Sequence, residues 1–348
     1  MEDYADFKSA FNEKYSPLSR KILRLLSEDS RMPVTAIAKQ VGVSRRTAKE
    51  RIGRIEKELG VRYTLELNEE VLRIPNPHMV VVRFREEPDY DEIAKVLSRS
   101  YIPQLAVRAN GEREIYIYAN SVSHSEYTRW DKTTQSDLSK YKVLWESSEV
   151  AHKQLGFFPL RNEIIDRLEI AGKYKSMLKL LNSNSRISFQ QMSKAMGMHF
   201  NTVAYNFGKL LKLGYIKKFT LVCRPPKEVS LVAIFGKYAL AENFESDASK
   251  IRRVFRSDEE LTAFARYPVI AQLIGTYDFF DVGVFDNMET GKKKFVSVYK
   301  EMLKRHLARI YHRELADVIL GDMPIRSVDD NKEYNVLKWT TEEKTGKA

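Results

Sequence analysis

The sequence predicts an α+β protein in which two winged helix-turn-helix domains alternate with two ferredoxin-like βαββαβ domains. Three observations carry that prediction. A helix-turn-helix pattern occupies residues 23–59. The pattern recurs at a constant offset of 155 positions. Each copy is followed by punctuating prolines and then by the same order of strand and helix signals.

The first copy reads LRLLSEDSRMPVTAIAKQVGVSRRTAKERIGRIEKEL. Leu23, Leu26, Val34, Ile37, Ala38 and Val41 keep helical spacing up to Gly42, where a residue free to take positive φ permits a tight turn. Ser44 stands as an N-cap before a further helix. The inward stripe of that helix is Ala48, Ile52, Ile55 and Leu59, and its outward face carries Arg45, Arg46, Lys49, Arg51 and Arg54. This is the layout of a helix offered to the DNA major groove. Upstream, Tyr4, Phe7, Phe11 and Tyr15 mark an amphipathic helix within residues 1–16. Downstream, RYTLELNEEVLRI (62–74) alternates around a turn, as a wing or an exit strand would.

Pro75 and Pro77 mark a boundary. Beyond it the signals give a strand (79–84), a helix (90–98), a strand (102–108), a turn at Asn110-Gly111, a strand (114–119), a helix (about 124–140) and a strand (143–150). That order is the split βαβ sandwich. LRNEIIDRLEIAG (160–172) predicts a connecting helix.

The repeat then begins. LKLLNSNSRISFQQMSKAMGM (178–198) aligns without a gap on LRLLSEDSRMPVTAIAKQVGV (23–43), so that Gly197 meets Gly42, Thr202 meets Thr47 and Gly208 meets Gly53. Ser188 and Gln191 form a capping-box pattern. Val203, Phe207 and Leu210 supply the inward stripe of a second recognition helix, which Gly214 stops; YIKKFTLVC (215–223) is the matching wing or exit strand. After Pro225-Pro226 come a strand (229–237), a helix (248–255), strands (269–275 and 279–285), a helix (288–306) and a strand (309–320). The predicted domains are therefore residues 1–74, 75–160, 161–224 and 225–327, with a polar tail at 328–348.

Charge supports docking on polyanions at defined places. The net charge is +11 and the pI about 9.4. Residues 17–62 hold 12 Lys and Arg against 5 Asp and Glu, whereas residues 173–224 hold 10 Lys and Arg and no acid. The remainder of the chain is net acidic, so the basicity belongs to the two helix-turn-helix segments. A single cysteine, Cys223, rules out an internal disulfide. No signal-peptide pattern and no apolar stretch near the roughly 18 residues of a membrane helix occurs, so the expectation is a cytoplasmic protein without a membrane partner.

The candidate DNA-binding residues are Ser44, Arg45, Arg46, Thr47, Lys49, Arg51 and Arg54 in the first copy, and Asn201, Thr202, Tyr205 and Lys209 in the second. Arginine offers a bidentate fork to guanine and Asn201 can read adenine, while Arg51 and Arg54, further along the helix, suit phosphate. Glu50 could accept from a cytosine amine, but an i,i+4 pair with Arg54 is the expectation. Phe200, where the first copy has Arg45, suits a thymine methyl or another protein.

SRKILRLLSEDSRMPVTAIAKQVGVSRRTAKERIGRIEKELG (19–60) resembles the N-terminal domain of the Lrp/AsnC (feast/famine) transcription regulators, and IGTYDFFDVGVF (274–285) resembles the glycine-aspartate turn of their effector-binding domain. The resemblance covers nearly the whole chain, twice. It implies a dimerising βαββαβ domain and an amino-acid-like effector held at Gly275, Thr276, Tyr277 and Asp278, with backbone N–H groups for a carboxylate and Asp278 for an ammonium group. Two departures stand out. The first such domain reads ANGERE (109–114), with Glu114 in place of the aspartate, and the second recognition helix reads HFNTVAYN (199–206) against SRRTAKER (44–51).

The partners so implied are double-stranded DNA, a small effector, and either a second chain in a homodimer or the chain's own second half as a pseudo-dimer. Two other readings remain open. The second helix-turn-helix could grip a transcription-machinery partner as a recruiting scaffold. The architecture is also similar to that of siroheme decarboxylases, although the tryptophan-proline-tyrosine and histidine-rich strand signature of that class is not found. No catalytic constellation, metal-ligand spacing or cofactor motif emerges, so the expectation is a non-enzyme.

Overall fold

Helix α1 (Pro17–Glu28) begins where Ser16 accepts from the Ser19 N–H and Pro17 presets the first helical residue. The computed structural model describes residues 16–155, 159–222, 230–238, 269–285 and 308–321. The expected helices at 1–15, 248–255 and 288–306, the Pro225-Pro226 pair and the tail lie outside the described residues. Helix α2 (Val34–Val41) ends at Gly42, whose φ of +74° turns the chain into α3 (Arg45–Leu59). The second copy repeats this at Gly197, φ +61°, between α8 (Phe189–Met196) and α9 (Phe200–Lys212). The Ser188/Gln191 capping box opens α8 with both of its reciprocal bonds in place.

The expected connecting helix is shorter than its apolar pattern suggested. Helix α6 covers Asn162–Arg167, and α7 (Gly172–Ser183) starts anew after Leu168 takes an extended backbone.

The expected wings require a correction. Strand β1 (Arg62–Leu67) has no returning partner beside it, because residues 69–73 coil into turns that end with Arg73 at φ +55°. Its partner is instead β6 (Ile216–Val222), the exit strand of the other helix-turn-helix, in antiparallel register with Thr64 opposite Thr220. The two strands are exchanged. Leu221 packs among Ile22, Leu26, Ile37 and Ile55 of the first helix-turn-helix, while Leu65 and Leu67 pack among Leu178, Leu181 and Val203 of the second.

The remaining strands form one sheet built from both halves of the chain. The first half supplies β2 (His78–Phe84), α4 (Tyr90–Ser98), β3 (Pro103–Ala109), β4 (Glu114–Ala119), α5 (His124–Asp137) and β5 (Val143–Leu155). The second supplies β7 (Ser230–Tyr238), β8 (Val269–Gly275), β9 (Phe279–Phe285) and β10 (Ala308–Leu320). Eight strands close into a barrel in the order β10-β3-β4-β2-β5-β8-β9-β7.

Strand β5 outruns its expected end at 150 for a topological reason. Residues 143–149 pair with β2, and the continuation to Leu155 reaches across to β8. Strand β10 does the same, pairing with β7 over residues 308–315 and with β3 from Leu315 onward. Alternation divides the first half's residues between two cores. Met79, Val81, Tyr116 and Val150 face the barrel interior with Phe235 and Phe280, whereas Val80, Val82 and Ile117 face Ile93 and Trp130 under the helices.

Candidate nucleic-acid interface

The first recognition helix, α3, is anchored by its apolar stripe. Ala48, Ile52 and Ile55 are at most 6% exposed. Helical spacing then leaves Arg45, Arg46, Lys49 and Arg54 exposed, with Arg51 half-buried. Ser44 and Thr47 are joined to each other at the start of the helix. Ser44 Oγ accepts the Thr47 N–H at 3.0 Å and lies 2.8 Å from the Thr47 hydroxyl. These two candidates thus cap the helix and set the angle at which Arg45 and Arg46 emerge.

The expected partner of Glu50 needs correction. Glu50 pairs with Arg46, one turn toward the N-terminus, at 2.9 Å. Both side chains are largely exposed, so the pair is weak and competes little with an incoming phosphate or base.

The second recognition helix, α9, presents a different face. Asn201, Thr202, Tyr205 and Lys209 are exposed, Val203 and Leu210 are fully buried, and His199 caps the helix by accepting the Asn201 N–H at its Nδ1. Phe200 is 47% exposed and meets Phe189 edge-on. Lys209 sits over the Tyr205 ring at 4.6 Å. It holds the exposed phenol below its ordinary value, helped by the fields of Lys173 and Lys212. The aromatic surface here is therefore embedded in positive charge.

The candidate effector turn, Gly275 to Asp278, lies against β5. Gly275 takes a φ of +144°, and a Cβ there would meet Ser147 O and Ser148 Cα at 3.0 Å. Thr276 is exposed and Asp278 half-buried. Tyr277 is buried; its N–H donates to Ser148 Oγ, and its hydroxyl donates to Glu146 while accepting from Arg83.

Arg83 also bonds Glu114 at 2.8 Å and pairs with Glu146, and Glu114 is held in turn by Tyr116 and Arg313. Burial alone would lower the Arg83 guanidinium, but its bonds to Tyr277 and Glu114 hold it above the ordinary value. This charge-balanced network ties the turn to strands of both halves. Glu114, the residue that departs from aspartate in the resemblance, is a member of it.

Sequence reasoning missed that network, and it missed a contact between the two helix-turn-helix units through Ser30, Arg31, Ser185 and Arg186. The repeat carried the signal for the second. Those residues are identical pairs at the 155-residue offset although they belong to neither the apolar stripe nor the recognition face. Among the described residues no group of three His, Cys, Asp or Glu is placed to hold a metal, and no helix is long and apolar enough to cross a membrane.

Comparison with known proteins places these observations. An AsnC-type helix-turn-helix domain matches residues 17–56. An HTH-type transcriptional regulator of Pyrococcus abyssi is 27% identical over 111 residues, which is 32% of this chain and 72% of that protein. One of Pyrococcus horikoshii is 26% identical over 110 residues, 30% of this chain and 61% of its own length, so the chain spans less than two thirds of that relative. Among solved structures, the siroheme decarboxylase NirDL aligns over 93% of this chain and 99% of its own with a TM-score of 0.56 and 10% identity, a likeness of fold.

Proposed function

We propose that this chain, an Lrp/AsnC-type helix-turn-helix protein with its AsnC-type domain at residues 17–56, is a sequence-specific regulator of transcription that presents two unlike recognition helices to one duplex as a pseudo-dimer. The observation that carries the reading is the exposed basic face of α3, four cations free of the apolar stripe, on a helix whose cap and core are both in place. Arg45, Arg46 and Lys49 read base edges, and Arg51 and Arg54 bind phosphate. In the second copy Asn201 and Thr202 meet the groove, while Tyr205 and Lys209 hold the backbone. Exchange of β1 and β6 and the joined barrel support one chain doing the work of two. The duplication also predicts an asymmetric site, since SRRTAKER and HFNTVAYN differ. The effector reading at Gly275, Thr276, Tyr277 and Asp278 rests on the resemblance and on the turn's link to both halves through Tyr277.

Two observations support second readings. Phe200 and Tyr205, 47% and 62% exposed, suit a protein partner on the second helix-turn-helix. Substituting both would then abolish partner binding and leave DNA affinity intact. The whole-chain likeness to NirDL suits an enzyme acting on siroheme, which would show itself as a coloured tetrapyrrole complex on reconstitution.

The deciding experiment selects random duplex DNA with the intact chain and with Arg45→Ala/Arg46→Ala. The expected result is an enriched motif that the double substitution weakens by about 30-fold or more, in line with about 1–3 kcal/mol for each of two bidentate contacts. Sequence-independent binding by both proteins would contradict the reading.

A further inference from the structure

We infer that residues 30–32 and 185–187 form a clasp that fixes the separation of the two recognition helices, with Arg31 as its principal residue. What that separation is used for rests on the DNA-binding reading; the clasp itself does not.

The contacts are reciprocal about a pseudo-two-fold axis. Arg31 donates to the carbonyls on either side of Arg186, at Ser185 O (2.5 Å) and Ile187 O (3.2 Å). Arg186 donates to the carbonyls on either side of Arg31, at Ser30 O (2.6 Å) and Met32 O (3.4 Å). Between them the Ser30 and Ser185 hydroxyls, both fully buried, meet at 2.5 Å. Each loop is also stitched to the partner unit's exit strand, Ser30 N–H to Phe219 O and Ser185 N–H to Tyr63 O. The same axis passes by Thr64 and Thr220, which face each other in the exchanged ribbon. Thr220 donates to Ser27 O and Thr64 to Asn182 O.

Two separate points of attachment matter mechanically. A two-stranded ribbon by itself is a hinge about which two helical units can twist. The loops supply a second point. Because both arginines hold backbone carbonyls immediately ahead of α2 and α8, they fix the helices themselves and not just side chains. Ile37 of α2 packs in one cluster with Ile52 and Ile55 of α3, so the constraint passes to the recognition helix.

The two arginines are not equal. Arg31 lies over three rings, Phe189, Phe207 and Phe219, at 5.0–5.6 Å, whereas Arg186 lies over one ring among the described residues, Tyr63, at 5.1 Å. At the 155-residue offset the counterparts of Phe189 and Phe207 are Val34 and Ile52, which lack a π face. Loss of Arg31 should therefore loosen the pair more than loss of Arg186. Helices that read successive major-groove turns must stand about 34 Å apart or a multiple of that, so a loosened clasp relaxes the half-site spacing the protein accepts.

The test uses the full chain with Cys223→Ser and spin labels at Lys57→Cys and Lys212→Cys, exposed positions on the two recognition helices. Pulsed electron resonance is expected to give one narrow distance for the parent, a clearly broader distribution for Arg31→Ala, and an intermediate one for Arg186→Ala. Arg31→Lys keeps the charge and its N–H donors but loses the planar guanidinium that lies over three phenylalanine rings, and it should broaden the distance too. On duplexes of varied half-site spacing the parent should discriminate by about tenfold or more, and Arg31→Ala by much less. A parent distance that is already broad, or Arg31→Ala and Arg31→Lys distances as narrow as the parent's, would overturn the clasp. Distances that behave as expected alongside an absence of specific DNA binding would leave the clasp standing and remove the regulator reading instead.

Discussion

His78 stacks flat on Tyr127, with ring centroids 3.6 Å apart and planes 11° from parallel. Burial in that position pulls its imidazole from 6.5 down to about 4, the nearby His124 adding to the effect and Glu149 opposing it. The unfolded chain thus binds a proton on His78 between about pH 6.5 and 4 that the folded chain refuses. Stability from this group is full above pH 6.5, declines through that window and is flat below about 4. The loss is bounded at about 3 kcal/mol and is reduced by solvent screening. Urea denaturation at pH 7.5 and 4.5 checks it: His78→Phe should lose less stability between the two pH values than the parent does. Gly275 makes a second prediction at this scale. Its φ of +144° strains any side chain, and the 3.0 Å approach to Ser147 O would force the neighbouring backbone to shift slightly, so Gly275→Ala should cost about 1–3 kcal/mol in thermal denaturation.

The exchanged strands are the element-scale feature with the clearest consequence. Leu221 belongs by sequence to the second helix-turn-helix and by packing to the first. Leu221→Ala should destabilise by about 2–5 kcal/mol. Hydrogen exchange should show the loss first in α1 and α3, with α9 less affected; the reverse order would mean that each strand serves its own unit. This is also where sequence reading met its limit. Helices α3, α8 and α9 were legible because their apolar stripes, caps and terminal glycines are local signals that agree with one another. The alternation in RYTLEL showed a strand but could not show its partner, since pairing is a long-range choice and period-two spacing is indifferent to it. The Glu50 pairing failed for a related reason: arginines stand four residues away on both sides, and spacing does not choose between them. The network of Arg83, Glu114, Glu146 and Tyr277 was illegible because its members come from three strands and a turn spread over almost 200 positions. Glu114 could be read only as a departure from aspartate.

For the molecule as a whole, two basic segments, 17–62 and 173–224, interrupt a chain whose remainder is net acidic. Affinity for duplex DNA should fall steeply and linearly on a log–log salt plot. Arg51→Ala/Arg54→Ala should reduce the slope by roughly 2 while leaving the preferred sequence unchanged. Titration by fluorescence anisotropy across a salt series checks both statements; an altered sequence preference would move those arginines from phosphate to base.

The most direct test of the account is a hydroxyl-radical footprint of the chain on its selected duplex, for the parent and for Arg45→Ala/Arg46→Ala. The account predicts two protected patches of different sequence, about one helical turn apart or a multiple of it, with the substitution erasing only one of them. Two identical patches in inverted orientation that fade together would mean that like helices from two chains pair on the site, and would contradict the single-chain pseudo-dimer.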